Sequence, residues 1–418
     1  MRHQIESDDL RAPEMATAIE KCVHCGFCLP ACPTYSLLGE EMDSPRGRIY
    51  LMKNVLEETL SAADAQPYID RCLGCMACVP ACPSGVEYGD LLVSYRMLQE
   101  RERQRPPLDA LARRLVIETL PYPKRFRLAA QTGRIGKALR GALPEAFASM
   151  LNLLPEKLPS PLPAPPVLPA RGELRAKVAL LPGCVQQALA PEINYAAAQA
   201  LAANGVEVHS PPKAGCCGSI LLHVGAEQQA IELARRNFGQ FPDDIDAIIT
   251  TAAGCGSGIH DYELLFKDQP DADRAAAFAR KVTDFSAFLS SLGMRERTGF
   301  AHERRVVYQD ACHLLHAQGQ QSEARALLMQ IPNLRLLPIA DAGMCCGSAG
   351  AYNIDQPAIA AELGRRKVAS ILAAEPDLVV SGNIGCITQL RQQLKSTGNP
   401  LPVRHIAEVL WEACAGSE

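Results

Sequence analysis

Cys22, Cys25, Cys28 and Cys32 follow one another at spacings of x2, x2 and x3 and are closed by Pro33; the same run recurs as Cys72, Cys75, Cys78 and Cys82 closed by Pro83. Three thiols three residues apart wrap one loop around three corners of a cube, while the fourth points away from it. Proline fixes φ and has no N–H, so Pro33 and Pro83 end each loop and turn the chain away. Four cysteines in one short loop at this spacing would be an unusual structural zinc site, and a disulfide framework is the other alternative reading.

The doubled run is similar to the signature of bacterial two-cluster ferredoxins, in which the fourth cysteine of each run serves the other cluster. By that crossover Cys22, Cys25, Cys28 and Cys82 would hold one [4Fe-4S] cluster, and Cys72, Cys75, Cys78 and Cys32 the second. Between the loops, Ser44-Pro45-Arg46-Gly47-Arg48 leads into a segment whose apolar residues Ile49, Met52, Leu56 and Leu60 recur at helical spacing. Pro45 sits where a helix begins. Cluster loops joined by a helix, in place of the short strands of the smallest ferredoxins, predict an α-helical two-[4Fe-4S] ferredoxin domain over residues 1–100. His24, inside the first loop, is placed to tune a cluster through a hydrogen bond, although simple exposure explains it equally well.

Composition sets outer bounds. A chain of 418 residues is expected to make two or three domains. Its 48% apolar content is ample for real cores, and a formal net charge of −4 gives no reason to expect nucleic acid as a partner. Seventeen cysteines in a long chain whose opening MRHQIESDDL is charged do not read as a secreted disulfide scaffold. The thiols are therefore expected to be reduced and cytoplasmic. No stretch approaches the roughly 18 to 20 continuous apolar residues of a transmembrane segment. Any membrane attachment is expected to be peripheral, on the inner face of the cytoplasmic membrane, or through a partner.

Residues 101–154 read as a basic helical segment, with eleven Lys or Arg against four Asp or Glu over 101–150. Breaks fall at Pro106-Pro107, Pro121-Tyr122-Pro123 and Pro144. A solvated helical face and a basic surface for an anionic partner or lipid headgroups both account for it. Residues 155–172 then carry seven prolines and read as an extended, semi-rigid linker of polyproline type.

The remainder of the chain is an internal repeat, over 173–300 and 301–418. In the first copy the apolar run KVALLPGC ends at Cys184, a helix leads to Cys216-Cys217-Gly218, and DAIITTAAGC ends at Cys255. In the second, RVVYQDAC ends at Cys312, a helix leads to Cys345-Cys346-Gly347, and DLVVSGNIGC ends at Cys386. A continuous apolar run with a helix after it is the βα pattern of a parallel sheet, so the C-terminal region is expected to be α/β, with two pseudo-symmetric repeats. Loops at the carboxyl ends of parallel strands form the site in such sheets, and the four cysteines of each copy should meet there. Adjacent cysteines normally point apart; Gly218 and Gly347 let the backbone take the turn that brings both sulfurs to one side. Each quartet could serve a further iron–sulfur cluster, a zinc ion or a dithiol switch, or be buried small hydrophobes. His313 and His316, beside Cys312, are candidates for contacting a cluster or relaying protons to a bound acceptor, and equally for structural hydrogen bonds.

Taken in order, CVHCGFCLPACPTYSLLGEEMDSPRGRIYLMKNVLE, RCLGCMACVPACPSGVEYGDLL, GCCGS, CCGSAGAY and GNIGC closely resemble the iron–sulfur subunit of bacterial glycolate oxidase, over essentially the whole chain. Cys-Cys-Gly modules also occur in subunits of heterodisulfide reductase, anaerobic glycerol-3-phosphate dehydrogenase and lactate-utilisation enzymes, which stand as alternatives. The resemblance implies that glycolate is oxidised to glyoxylate on FAD held by partner subunits, and that this chain carries electrons onward through its clusters to a quinone-type acceptor. In line with that, no G-x-G-x-x-G follows a strand here. One departure matters. The fuller module of heterodisulfide reductase supplies a fifth thiolate through a C-x-x-C pair, whereas Gly258 and Gln389 stand at those positions. Disulfide-reducing chemistry on a non-cubane cluster is thereby disfavoured.

Overall fold

The computed structural model describes residues 1–5, 11–295 and 297–415. Its N-terminal part is helical: α1 (Ala12–Lys21), α2 (Pro33–Leu38), α3 (Pro45–Leu56), α4 (Ala62–Asp70) and α5 (Tyr88–Glu102). α3 starts where its sequence dictates. Ser44 accepts a hydrogen bond from Gly47 N–H at 3.0 Å as N-cap, and Pro45 occupies the first turn. The helix ends at Leu56, so Leu60 of the helical spacing lies beyond it. Met15 and Ile19 of α1, Ile49 and Met52 of α3, Ile69 of α4 and Leu91, Leu92 and Tyr95 of α5 form one core that includes Cys22, Cys72 and Cys78. Each large side chain fully buried there contributes about 1.5–3 kcal/mol, and together they fix where the cysteine loops emerge.

The two loops leave their helices in the same way. Cys22 N–H donates to Ile19 O at the end of α1, and Cys72 N–H donates to Ile69 O at the end of α4, both at 3.1 Å. Three further helices follow, α6 (Pro107–Thr119), α7 (Pro123–Gly136) and α8 (Glu145–Leu153), each begun at or just after a proline.

Nine strands make two sheets among the described residues. The first has the order β1-β3-β2-β4-β5, from β1 (Val167–Leu168), β2 (Ala176–Leu181), β3 (Val206–His209), β4 (Ala247–Thr250) and β5 (Val282–Asp284). The second has the order β7-β6-β8-β9, from β6 (Arg304–Gln309), β7 (Leu334–Leu337), β8 (Leu378–Ser381) and β9 (Val403–His405). Apart from β1 every pairing is parallel, and β3-β2-β4-β5 and β7-β6-β8-β9 have the same connectivity. Val178–Leu181 and Leu378–Ser381 are buried without a break, as strands covered on both faces must be. On one face of the strands Val178, Leu180, Val306, Tyr308 and Val380 share a core with helices Pro191–Ala203 and Ile406–Ala415, and that core joins the two sheets.

The proline-rich stretch departs from the expected linker at its end. Val167 and Leu168 pair antiparallel with His209 and Val208, and Ser210 N–H donates to Pro166 O at 2.8 Å. Proline is tolerated at a sheet edge, where a missing donor faces outward, so the stretch finishes as an edge strand. The fourth strand of each copy, β5 and β9, is too short for its sequence to announce.

Candidate metal centres

Each cluster loop requires left-handed backbone at two positions, and the sequence meets that need differently in each copy. His24 (φ 57°) and Gly26 (φ 88°) flank Cys25, whereas Gly74 (φ 64°) and Met76 (φ 60°) flank Cys75. One turn in each loop is absorbed by glycine, and the other is forced on a residue with a side chain at a cost of about 1–3 kcal/mol. Matching bonds hold both loops to the same path: Leu29 N–H to Gly26 O with Cys32 N–H to Leu29 O, and Val79 N–H to Met76 O with Cys82 N–H to Val79 O.

Cys22, Cys25, Cys28 and Cys82 line one hollow, and Cys32, Cys72, Cys75 and Cys78 line a second, with Cys78 also reaching the wall of the first. The fourth cysteine of each run thus lies with the three of the other. Among the described residues no group of three His, Cys, Asp or Glu side chains is spaced to close on a single metal ion. Four thiols around a hollow fit a multi-iron cluster better than one ion. The first hollow is at the surface, where Cys25 is exposed and Val23 and Phe27 are each 67% exposed. The second lies inside, with Cys32, Cys72, Cys75 and Cys78 all buried.

Two arginines of the α3 entry serve the two hollows, one each, and their roles escape sequence reasoning. Arg46 donates from Nη1 to His24 O at 2.9 Å in the first loop. Arg48 is 1% exposed; it donates to Tyr68 O at 2.7 Å, Thr34 Oγ1 at 3.0 Å and Asp43 Oδ1 at 3.2 Å, and its Nη1 lies 3.8 Å from Cys32 Sγ. Burial would push the Cys72 thiol up, but the guanidiniums of Arg48 and Arg96 and a hydrogen bond with Tyr88 hold it below its ordinary value. The available signal was two arginines in the first turn of a helix, the end where the dipole disfavours cations. Gly47 between them is required by contact: a Cβ there would sit 2.0 Å from Glu41 O. His24 meets Met1 and Tyr50 in place of a cysteine.

In the repeats the cysteines gather at the carboxyl ends of strands, after β2, β3 and β4 in one copy and after β6, β7 and β8 in the other. Gly218 (φ 88°) and Gly347 (φ 89°) take the left-handed turn that follows each pair. Cys312 and Cys345 approach to 3.9 Å between sulfurs. Cys217 is held well below the ordinary thiol value by hydrogen bonds from Cys216 and Cys255, and Cys346 in the same way by Cys345 and Cys386.

The centres adjoin one another. Cys75 packs in one cluster of buried side chains with Cys312 and Cys345, and His313 Nε2 bonds to Gly74 O in the second loop at 2.9 Å. Cys346 and Cys386 share a cluster with Ala253, two residues before Cys255 of the other quartet. His316 bonds instead to Gly343 O at 3.0 Å, within its own repeat. His223, which no sequence pattern marks, stacks on His313 with ring centroids 5.6 Å apart, and burial depresses its pKa to about 3.

Two cysteine loops of dicluster type joined to two α/β repeats, each with its own cysteine quartet, define an iron–sulfur protein of the electron-transferring oxidoreductase class. Residues 18–86 match the 4Fe-4S dicluster domain family, and 178–260 and 306–391 each match the cysteine-rich domain family. The chain is 34% identical over 408 residues to the glycolate oxidase iron-sulfur subunit of Escherichia coli (strain K12), covering 96% of both. It is 36% identical over 414 residues to the probable glycolate oxidase iron-sulfur subunit of Bacillus subtilis (strain 168), covering 94% of this chain and 93% of that one. This chain belongs to the family of glycolate oxidase iron–sulfur subunits. Lactate utilization protein A of Shouchella clausii is a more distant relative, 26% identical over 234 residues, 56% of this chain and 98% of that one. The fold is also similar to a crystal structure of a hypothetical protein from Helicobacter pylori, with a TM-score of 0.56 at 9% identity over 99% of this chain and 74% of the other.

Proposed function

We propose that this chain is the electron-transfer subunit of a flavin-dependent complex that oxidises glycolate to glyoxylate, and that it passes electrons from FAD on partner subunits toward a quinone-type acceptor. The relatives' names support the substrate. The observation that carries the electron-transfer role is the succession of the cysteine groups: an exposed first loop, a buried second loop against Cys312 and Cys345, and Cys346 and Cys386 against Ala253 in the turn that carries Cys255.

Cys22, Cys25, Cys28 and Cys82 would hold one [4Fe-4S] cluster and Cys72, Cys75, Cys78 and Cys32 the other; such clusters exchange one electron at a time, which a two-electron flavin needs in order to feed a distant acceptor. Cys184, Cys216, Cys217 and Cys255 form one further quartet and Cys312, Cys345, Cys346 and Cys386 another, and each would serve as a further cluster or redox site. Exposed Val23, Phe27 and Cys25 make the first loop the edge a flavin subunit would face. Arg46 and Arg48 offset the negative charge gathered on the thiolates. Position, not acid–base chemistry, is what the chain supplies.

Replacing Cys75 by Ala in the assembled complex should abolish glycolate-driven quinone reduction while leaving glycolate binding and flavin reduction on the partner intact. Quinone reduction at the normal rate would refute the wiring. The fuel never touches this chain, so steady-state rates of the whole complex with glycolate, lactate and glycerol 3-phosphate separate the glycolate reading from its relatives.

A further inference from the structure

A cavity of ≈ 510 Å³, whose inner wall is the Cys184 quartet itself, opens between the two repeats and under α6–α8. Its volume falls in the range of about 300–1,000 Å³ typical of small-molecule sites. Its chemistry is lopsided. Val116 of α6 and Leu120 just after it, Phe126 and Ala130 of α7, and Met150 and Leu151 of α8 supply an apolar side, while all four cysteines of the quartet, with His223, Asn353 and Asn383, stand at the other; a group held by those cysteines would fill that end and leave the rest of the cavity beside it. The equivalent Cys312 quartet lines no part of it; its cysteines face the second cluster loop and Ala253 instead. The repeats share a fold but not this cavity, so what the cavity receives is specific to one quartet.

The roof of the cavity is apolar on its outside as well. Leu108 and Leu111 along α6 and Leu128 and Ile135 along α7 are exposed, Ile135 by 83%, while Leu115 sits at the rim and also lines the cavity. Exposed Arg114, Lys124 and Arg134 lie among them, with Asp109 and an Arg125–Glu118 pair at 2.9 Å, which leaves an excess of positive charge. Helices with apolar residues on both faces need a partner on the outer one, and an apolar stripe bordered by cations matches an anionic bilayer surface. No helix among the described residues is long and apolar enough to cross a membrane, so contact would be with the surface.

We propose that this cavity is the binding site for the lipid-soluble acceptor, a quinone, with its ring at the Cys255–Asn383 end and its tail along α6–α8, entered from a bilayer on which the Leu108–Ile135 stripe rests. The proposal rests on the reading that electrons leave this chain for a quinone. The balance closes without another reactant: glycolate gives up two electrons and two protons to become glyoxylate, and the quinone takes two electrons and, from solvent, two protons to become the quinol.

The test uses the assembled complex on vesicles of phosphatidylcholine mixed with phosphatidylglycerol, with an azidobenzoquinone bearing a short isoprenoid tail as photolabel. Label should map to α6–α8 or to 183–189 and 252–255, and excess unmodified quinone should compete it away. Ala129→Trp, which fills the cavity from α7, should cut labelling by about tenfold. Gly254→Leu fills it from the opposite side, where an added Cβ meets nothing within 4 Å, and should do the same; iron content and EPR spectrum identify a folded variant. Leu128→Ser with Ile135→Ser should release the complex from the vesicles. Label confined to another region, undiminished labelling in both folded cavity variants, or a complex that never binds the vesicles would overturn the proposal. A complex that glycolate fails to reduce, but that quinone still labels in this cavity, would instead defeat the functional reading and leave the site standing.

Discussion

Arg48 is the residue whose removal should most change the second cluster site without touching a cysteine. Its guanidinium is buried, bonded to Asp43, Thr34 and Tyr68, and 3.8 Å from Cys32 Sγ. Unit charges at that separation attract by about 4 kcal/mol at an effective dielectric of about 20. An added electron is spread over the whole group, so roughly a quarter to a half of that energy distinguishes reduced from oxidised; at about 59 mV per tenfold change for a one-electron step, Arg48→Met should lower the midpoint potential by about 40–90 mV. Breaking a buried ion pair costs about 3–5 kcal/mol. The loss should lie near the lower figure, because Asp43 keeps Arg71 Nε at 3.0 Å. Arg48→Lys retains the charge but not the forked donors, so it should lose stability while its potential stays close to the original. An EPR-monitored redox titration of both variants, with thermal unfolding and iron content measured alongside, separates the two effects. An unshifted potential in iron-replete Arg48→Met would refute the electrostatic argument and reduce Arg48 to a structural bond.

Two further outcomes concern the repeats. In Gly347→Ala the new Cβ would sit 2.5 Å from Ala360 O at φ 89°, so the variant should lose about 2 kcal/mol or more, whereas Gly85→Ala, at φ 62° with nothing within 4 Å, should lose about 1 kcal/mol; comparable melting shifts for the two would contradict the close-approach argument. His405 accepts from Ala407 N–H at Nδ1 and donates from Nε2 to Thr251 O across the repeats, and burial depresses its pKa to about 4. Between the unfolded value near 6.5 and that folded value only the unfolded chain binds the proton. The stability is therefore whole above about pH 6.5 and falls by about 1.4 kcal/mol per pH unit down to about pH 4. Urea midpoints against pH should show a shallower acid limb for His405→Gln, and parallel limbs would refute the assignment.

The parts of the molecule legible in the sequence were those whose chemistry demands a spacing. The cysteine runs revealed both loops, and the continuous apolar strands shortly before Cys184, Cys255, Cys312 and Cys386 revealed the parallel sheets, because burial on both faces removes alternation. Gly218 and Gly347 were readable from the steric problem posed by adjacent cysteines. The rest depends on contacts distant in sequence. Arg48 reaches Cys32 and lies near Cys72 only because α3 crosses both loops. His223 is one histidine on an apolar helix until the fold stacks it on His313. Strands β5 and β9 are three residues each, and β1 is hidden in a proline-rich stretch because its partner, β3, comes about forty residues later. The cavity beneath α6–α8 arises where three separate stretches meet, so no local pattern could disclose it.

The central claim is that electrons from glycolate enter this chain through its cysteine-held centres. Rapid mixing of the anaerobic complex with glycolate, followed by freezing and low-temperature EPR, tests it directly. The account predicts reduced [4Fe-4S] signals that appear with flavin turnover and vanish when quinone is added. A reduced flavin alongside centres that stay oxidised, in protein carrying its full iron, would contradict it.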